Sequence, residues 1–369
     1  GGDNVAVGNR ALTSNTTAGG NLAFGNKCLE FNTTGANNTG VGANALRQNT
    51  TASDNTAVGT GALAANTTGA QNTAVGTFAL DANTTGNYNT GLGYAVFDVQ
   101  TTGSFNTAIG AFALDANTTA TNNTGVGFTS LGSNTTGTQN VGLGSYSLAA
   151  NTTADNNTGI GHGSLTANTT GNENTFLGYK AGVHGTSTTT GQDNVIIGAF
   201  SHTTAANSGA AIILGYNVAG ASGYTTIGNA GDDIRALHGD ESWATVSDER
   251  IKKNITSATA GLAFINSLRP VTWEYKTLGE LPETFRAYEA DSTEVFKNSK
   301  TNHGFIAQEV KVAIDADSSI KDGFTLWDER DDGAQEVAEA ALIPMLTKAV
   351  QELSTALDAA LARIATLEG

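Results

Sequence analysis

Charge is scarce in the first two thirds of this chain: residues 1–246 hold 18 of its 52 Asp, Glu, Lys and Arg. Proline is rarer still, with Pro270, Pro282 and Pro344 as its three copies, all beyond residue 246. The single cysteine, Cys28, excludes an intrachain disulfide framework. With 18 basic against 34 acidic residues and a net charge of −16, no basic surface is available for a phosphate backbone, which excludes nucleic acid as a partner. No apolar run approaches the ~18–20 residues needed to span a bilayer, so membrane insertion is not expected. No charged segment followed by an apolar stretch opens the chain as a secretory signal would. The start "GGDNVAVG" lies inside a repeat and leaves open what precedes it.

What fills the space is glycine, asparagine, threonine and alanine. Of 46 Gly, 40 precede residue 247. The composition therefore changes near residue 246, and a domain boundary belongs there.

Within the first part the sequence counts in seventeens. "NTAVG" at Asn55–Gly59 recurs at Asn72–Gly76, and its closing glycine falls at Gly8, Gly25, Gly42 and onward in 17-residue steps to Gly178. "NTT" keeps the same beat from Asn15 to Asn168, with only Gln100 replacing Asn. Leu follows most of these glycines by four residues, as in Leu46, Leu63 and Leu80. A short strict period of this composition predicts a β-solenoid, one coil per repeat. Thr and Val favour short strands, and Gly and Asn accept the turns between them. Identical residues would stack about 4.8 Å apart, so that eleven coils make a rod of roughly 50 Å.

The third residue of each "NTAVG" unit is Ala or Gly in every copy but the last, where it is Phe176. In a strand it faces opposite to Val75 and its equivalents. Each coil then offers little large apolar surface for a free-standing core. Three chains packed about a shared axis would remedy this, with the small residues permitting close approach. Two sharper readings of the threonines carry less weight. Rows of Thr can match ice, but adjacent Thr in "NTT" would point to opposite faces of a strand. "NTT" is also a glycosylation sequon, but its fixed period fits turn chemistry better. Regularly spaced Asp for calcium is missing. His184, His202 and His238 lack ligand spacing and read as surface loop residues, so neither a metal nor a cofactor is expected.

These repeats resemble the left-handed β-roll repeats in the heads of trimeric autotransporter adhesins and repeats of phage tail fibres. The unit here is longer by an "ALxxNTT" segment. After residue 178 the beat loosens to steps of 20, 17 and 13, with closing glycines at Gly198, Gly215 and Gly228. Residues 179–246 thus read as an irregular β-rich neck with longer loops, where recognition usually resides.

At the boundary stands "WATVSDERIKKNI". "SDERIKKNI" (Ser247–Ile255), "LRPVTWEYK" (Leu268–Lys276), "HGFIAQEV" (His303–Val310) and "LIPMLTKAVQEL" (Leu342–Leu353) follow in order. Together they resemble the peptidase S74 family, the intramolecular chaperone that ends many phage tail fibres and tailspikes. The resemblance implies a Ser–Lys dyad, Ser247 and Lys252, cutting the Val246–Ser247 bond just before the serine. Apart from that motif, a Ser and a Lys at this spacing are ordinary in surface loops. A Ser hydroxyl needs a base within hydrogen-bond reach, and a Lys serves only when neutral. Lys253 and Arg250 could supply the nearby positive charge that lowers its pKa. Five residues apart on a helix, the two side chains would lie on different faces, so a loop or strand is expected. The reaction would be a single turnover on the chain itself, with no activity on foreign substrates.

The tail predicts an amphipathic helix. Ile343, Leu346, Val350, Leu353, Leu357, Ala360, Ile364 and Leu367 follow steps of three and four, a heptad seam with Ala360 as its weak position. Thr277–Lys300 is polar and reads as an extended excursion that could embrace a neighbouring chain. The expected whole is mainly β. A trimeric 17-residue β-roll (1–178) and a neck (179–246) precede a smaller α+β chaperone (247–369) that ends in a trimeric coiled coil (343–367). Its expected partners are two further copies and a host cell-surface receptor, a glycan or surface protein. The expected location is a virion tail fibre assembled in the host cytoplasm. A bacterial surface adhesin with the same processing domain is the alternative, and an ice-binding solenoid ranks below both.

Overall fold

The computed structural model describes residues 1–239, 244–245, 249, 252–320, 326–330 and 333–368. The chain forms two compact units, Gly1–Ser247 and Asp248–Gly369.

In the first unit every 17-residue repeat contributes one three-residue strand, from β1 (Val5–Val7) to β11 (Thr175–Leu177). Successive strands pair in parallel with like residues opposite one another: Thr56 faces Thr73, Ala57 faces Ala74 and Val58 faces Val75. The ladder does not end where the beat loosens. It continues through β12 (Val195–Ile197), β14 (Ile212–Tyr216) and β16 (Tyr224–Asn229), with β13 (His202–Thr203) and β15 (Ala219–Gly220) pairing on a separate small sheet. Extra residues of the longer steps are looped out, leaving the register intact. Two antiparallel strands, β17 (Asp232–Leu237) and β18 (Ala244–Thr245), follow on the last coil.

Sequence explains why the coil closes. The glycine at the end of each strand takes a φ of +123° to +150°, and a Cβ at Gly59 would overlap the carbonyl of Gly76 directly beneath it. That position is closed to every other residue by conformation and by stacking at once. Next comes a left-handed turn that, in most coils, includes the leucine: Leu46, Leu63 and Leu80 have φ of +50° to +53°. Such a conformation costs a branched or bulky residue about 1–2 kcal/mol. Coil stacking compensates, since the Leu46 N–H donates to the Ala62 carbonyl at 3.0 Å and the side chain is fully buried.

Two ladders of buried asparagine tie the coils together. Asn72 Nδ2 donates to the Gly86 carbonyl at 2.8 Å, and the Asn89 N–H donates to Asn72 Oδ1 at 2.9 Å. In the second ladder Asn49 Nδ2 donates to Asn32 Oδ1 at 2.8 Å and to the Ala52 carbonyl at 2.9 Å. Both ladders satisfy backbone groups at bends where no strand partner exists. The second is the "NTT" asparagine. It lies in a bend rather than a strand, so the expected alternation of its two threonines across a strand does not hold. Thr50 instead donates through Oγ1 to the Thr67 carbonyl at 3.1 Å, while Thr51 is exposed. A fully buried asparagine is also no acceptor for a glycan.

The core of the solenoid corrects one expectation. The small strand residues do not line a contact between chains. Ala57, Ala74 and Ala108 point into their own coil and are fully buried against the leucines. A Cβ on Gly91 would sit 3.2 Å from Leu80 Cδ1, so this row is small because leucine needs the room. The residues left outside are the Val row: Val7, Phe24, Leu92 and Leu143 are 44–56% exposed.

The second unit packs α1 (Leu262–Ser267), α2 (Ala307–Ala316) and the start of α3 (Ile343–Glu368) around Phe264, Val310, Ile314, Leu326 and Leu342. Two hairpin-like pairs complete it, β19 (Val271–Trp273) with β20 (Asn302–Gly304) and β21 (Trp327–Glu329) with β22 (Gln335–Val337). Glu352 of α3 accepts the Leu262 N–H at 2.8 Å, which caps the start of α1. That bond and its ion pair with Lys348 hold the Glu352 carboxyl below its usual range. The segment 277–300 is not an extended arm. It folds back on itself, with the Leu278 N–H donating to the Glu294 carbonyl at 2.7 Å and the Phe296 N–H to the Lys276 carbonyl at 2.9 Å. Among the described residues no helix is long and apolar enough to cross a membrane.

Candidate functional site

The junction carries the candidate chemistry. Val246 and Ser247 lie outside the described residues, as do Asp248 and Arg250. Lys252 is described: it is exposed and not helical, and its backbone N–H donates to the Glu249 carbonyl at 3.0 Å. From there to Gly261 the chain has no helix or strand. Cys28, the other nucleophile by residue type, is sealed inside the solenoid, and burial pushes its thiol up to about 11. A thiol that stays protonated at neutral pH is chemically inert.

Downstream, the fold brings two separated motifs together. "LRPVTWEYK" supplies β19 and "HGFIAQEV" supplies β20 and the start of α2, with Val271 opposite Gly304 and Thr272 opposite His303. Arg269 of the first motif grips Glu309 of the second through both guanidinium and carboxylate atoms, with Nε to Oε2 at 3.0 Å. That hydrogen bond and charge hold the Glu309 carboxyl below its usual range. Gly304 is required by space, because a Cβ there would sit 2.9 Å from the Trp273 ring and press on Glu339. The glycine of "HG" is thus explained by packing. His303 is exposed in an open cleft with Pro270, Phe305 and Glu339.

The third motif opens α3, a helix of 26 residues. Its seam residues stay out of the core: Ile343, Val350, Leu357 and Leu367 are 59–79% exposed, and Leu346, Leu353 and Ile364 are close to half exposed. Ala360 is exposed too, but the larger neighbour at that level is Leu361, 54% exposed. A count by threes and fours lands on either residue, and only side-chain size could have favoured Leu361. Sequence reasoning also missed a row of stacked rings on the solenoid surface, because its members alternate between two positions of the repeat.

The family model described as Peptidase_S74, chaperone of endosialidase, matches residues 247–317. The chain therefore carries that domain C-terminal to its β-solenoid. The match begins at Ser247 and closes at Asp317, the residue that caps the C-terminus of α2. No curated protein and no solved structure matches the chain. The domain implies self-cleaving, serine-type autoproteolysis, and its combination with a β-solenoid suggests a tail-fibre- or adhesin-like protein.

Proposed function

We propose that the chain is a receptor-binding phage tail-fibre segment whose C-terminal domain joins three copies, sets the register of their solenoids and then cuts itself away before Ser247. The observation that carries this reading is the family match starting at Ser247, with Lys252 five residues on and a solenoid immediately before. Stacked identical coils invite register slips. A domain that trimerises first, through the exposed apolar seam of α3, would align the three chains before their coils form. The outward Val row then supplies the contact between solenoids that the small residues, buried in their own coils, do not.

In the cut, Ser247 Oγ attacks the Val246 carbonyl carbon while neutral Lys252 accepts the hydroxyl proton. The C–N bond breaks as the proton passes to the departing Ser247 amine, leaving an ester on Oγ. Water hydrolyses that ester to the Val246 carboxylate and a free Ser247. Attack from the adjacent residue gains a large effective molarity. Lys252 needs desolvation or positive charge beside it, for which assembly of three chains is the expected source.

Mass spectrometry and N-terminal sequencing test this directly. Wild type is expected to yield a fragment beginning at Ser247. Ser247→Ala and Lys252→Ala are expected to stay at the full 37.5 kDa, and Lys253→Ala is expected to cut. A fragment beginning elsewhere overturns the assignment. A bacterial surface adhesin with the same domain remains the second reading, separated from the first by whether a secretion signal or a virion-attachment domain lies upstream.

A further inference from the structure

On the outside of the solenoid a continuous row of eight aromatic rings runs from Tyr94 to Tyr216, one ring per coil, with neighbouring centroids 5.2–6.0 Å apart. Tyr94, Phe128, Tyr146, Tyr179 and Tyr216 are 42–53% exposed. The ring contacts begin at Tyr94, and one coil earlier Phe78 already holds the position of Phe112 and Tyr146. At the same place the first coils carry Asn9 and Arg10, Asn26 and Lys27, then Ala43 and Asn44. These coils fold alike, so the rings are not needed to make a coil.

Over its first five rings, Tyr94 to His162, the ladder has a two-coil repeat, visible in two independent ways; beyond them Tyr179, like His162, directly follows its glycine, and these two rings stack at 25°. In sequence, Tyr94, Phe128 and His162 directly follow their glycine, whereas Phe112 and Tyr146 stand one residue later. In space, each ring of this run meets the next nearly edge-on, at 82°, 88°, 77° and 74°. The offset leaves a small or polar residue beside each ring: Ala95, Ala111, Thr129, Ser145 and Gly163. Within this five-ring run equivalent ring positions therefore recur every second coil, roughly 10 Å along the axis on strand spacing.

We propose that this ladder is a binding site for a neutral, extended pyranose polymer lying along the solenoid. A β-1,4-linked chain advances by about one coil rise per sugar and turns each sugar over relative to the last. It too repeats every two units. Its sugars present flat C–H faces to aromatic rings and hydroxyls to their rims, where Tyr hydroxyls, His162, Thr129 and Ser145 offer hydrogen bonds. Nucleobases would also stack on such rings, but a chain of net charge −16 repels their phosphates, and it repels acidic glycans likewise. A globular protein surface has no matching period. The inference deepens the receptor-binding role proposed above, and binding is read on the purified chain whether or not it has cut.

The probes are cellohexaose and chitohexaose, which are extended, and maltohexaose, which coils, titrated calorimetrically into the full-length Ser247→Ala chain. Binding of at least one extended hexasaccharide in the millimolar range or tighter, at least tenfold above maltohexaose, is expected. The Phe128→Ala/Tyr146→Ala variant should weaken it at least tenfold with unchanged sedimentation. As a control, Tyr88→Ala/Phe105→Ala removes a stacked pair outside the ladder, 4.9 Å apart at 7°, and should bind as before. If neither extended sugar binds, or maltohexaose binds equally, the proposal fails. If the Phe128/Tyr146 variant instead dissociates the assembly, the ladder joins copies of this chain and the proposal fails as well.

Discussion

Phe176 and Gly182 have exchanged sizes. The ten coils before it place Ala or Gly at the strand centre and mostly Leu four residues after the closing glycine; this coil places Phe at the first position and Gly at the second. A Cβ on Gly182 would overlap the Phe176 ring, which is fully buried. The interior volume of the coil is kept while its filling comes from the opposite wall. Cys28 makes a smaller exchange, its Sγ occupying the space above Gly40.

This pair predicts a double-mutant cycle. Phe176→Ala should cost about 3–5 kcal/mol of local stability through the cavity it leaves. Gly182→Leu alone should cost about 1–3 kcal/mol through overpacking. Combined, the two restore the arrangement of the preceding coils and should lie within about 1 kcal/mol of wild type. Hydrogen exchange of the amides around β11 is the suitable readout, because a repeat array opens locally rather than as one unit. Additive losses would show that the coil does not conserve its volume.

Asn72→Ala should be more damaging than its size suggests. It removes the acceptor of the Asn89 N–H and leaves that buried donor unpaired, while the Gly86 carbonyl keeps the hydrogen bond from Asn83 Nδ2 at 3.1 Å. At about 1–3 kcal/mol for the orphaned N–H, a loss of about 1–3 kcal/mol is expected. Thr51→Ala, at an exposed position of a nearby coil, should change stability by less than about 0.5 kcal/mol. Thermal unfolding of the two variants side by side checks the contrast.

Stacking also places acids on top of one another. Asp81, Asp98 and Asp115 hold the same position in three successive coils. Desolvation, and then the charge of Asp98, raises the Asp81 carboxyl above its usual range; desolvation does the same for Asp115, with a smaller contribution from Asp98. A folded-state pKa above the unfolded one contributes stability below the unfolded value, about 3.9 for Asp, which is lost as pH rises through the folded value. The solenoid should therefore lose stability between those two pH values, and Asp81→Asn/Asp115→Asn should raise its melting temperature at pH 7 but not at pH 3. A pH series of melting curves decides it, and equal shifts at both pH values would refute the electrostatic cause.

Charge in the α3 seam should report on whether assembly precedes cleavage. Leu353→Asp/Leu357→Asp would bury unpaired carboxylates in a coiled coil, at several kcal/mol per ion. The variant is expected to stay uncut with Ser247 and Lys252 intact, and its solenoid to become protease-sensitive. Leu361→Asp should act alike, whereas Ala360→Leu should cut normally. A variant that sediments as a monomer and cuts at the wild-type rate would remove the dependence.

The 17-residue period, one coil per repeat, glycine in the turns and the charged boundary follow from sequence alone, because each is a local property of composition or spacing; that a coil holds one three-residue strand did not. The motif order from Ser247 to Leu353 likewise pointed to an S74-like domain before any fold was considered. Closure of the coil decided the rest. Which side of the strand is inside depends on where the leucine lands after a left-handed turn, and nothing in the strand itself encodes that turn. For the same reason Ala57 is core and Val58 is surface, and the stacked "NTT" asparagines are buried. The ring row was hidden in sequence because Phe112 and Phe128 occupy different repeat positions, and only stacking makes them neighbours. In the second unit, Arg269 and Glu309 are 40 residues apart in sequence, and their pairing exists because β19 and β20 bring the two motifs side by side.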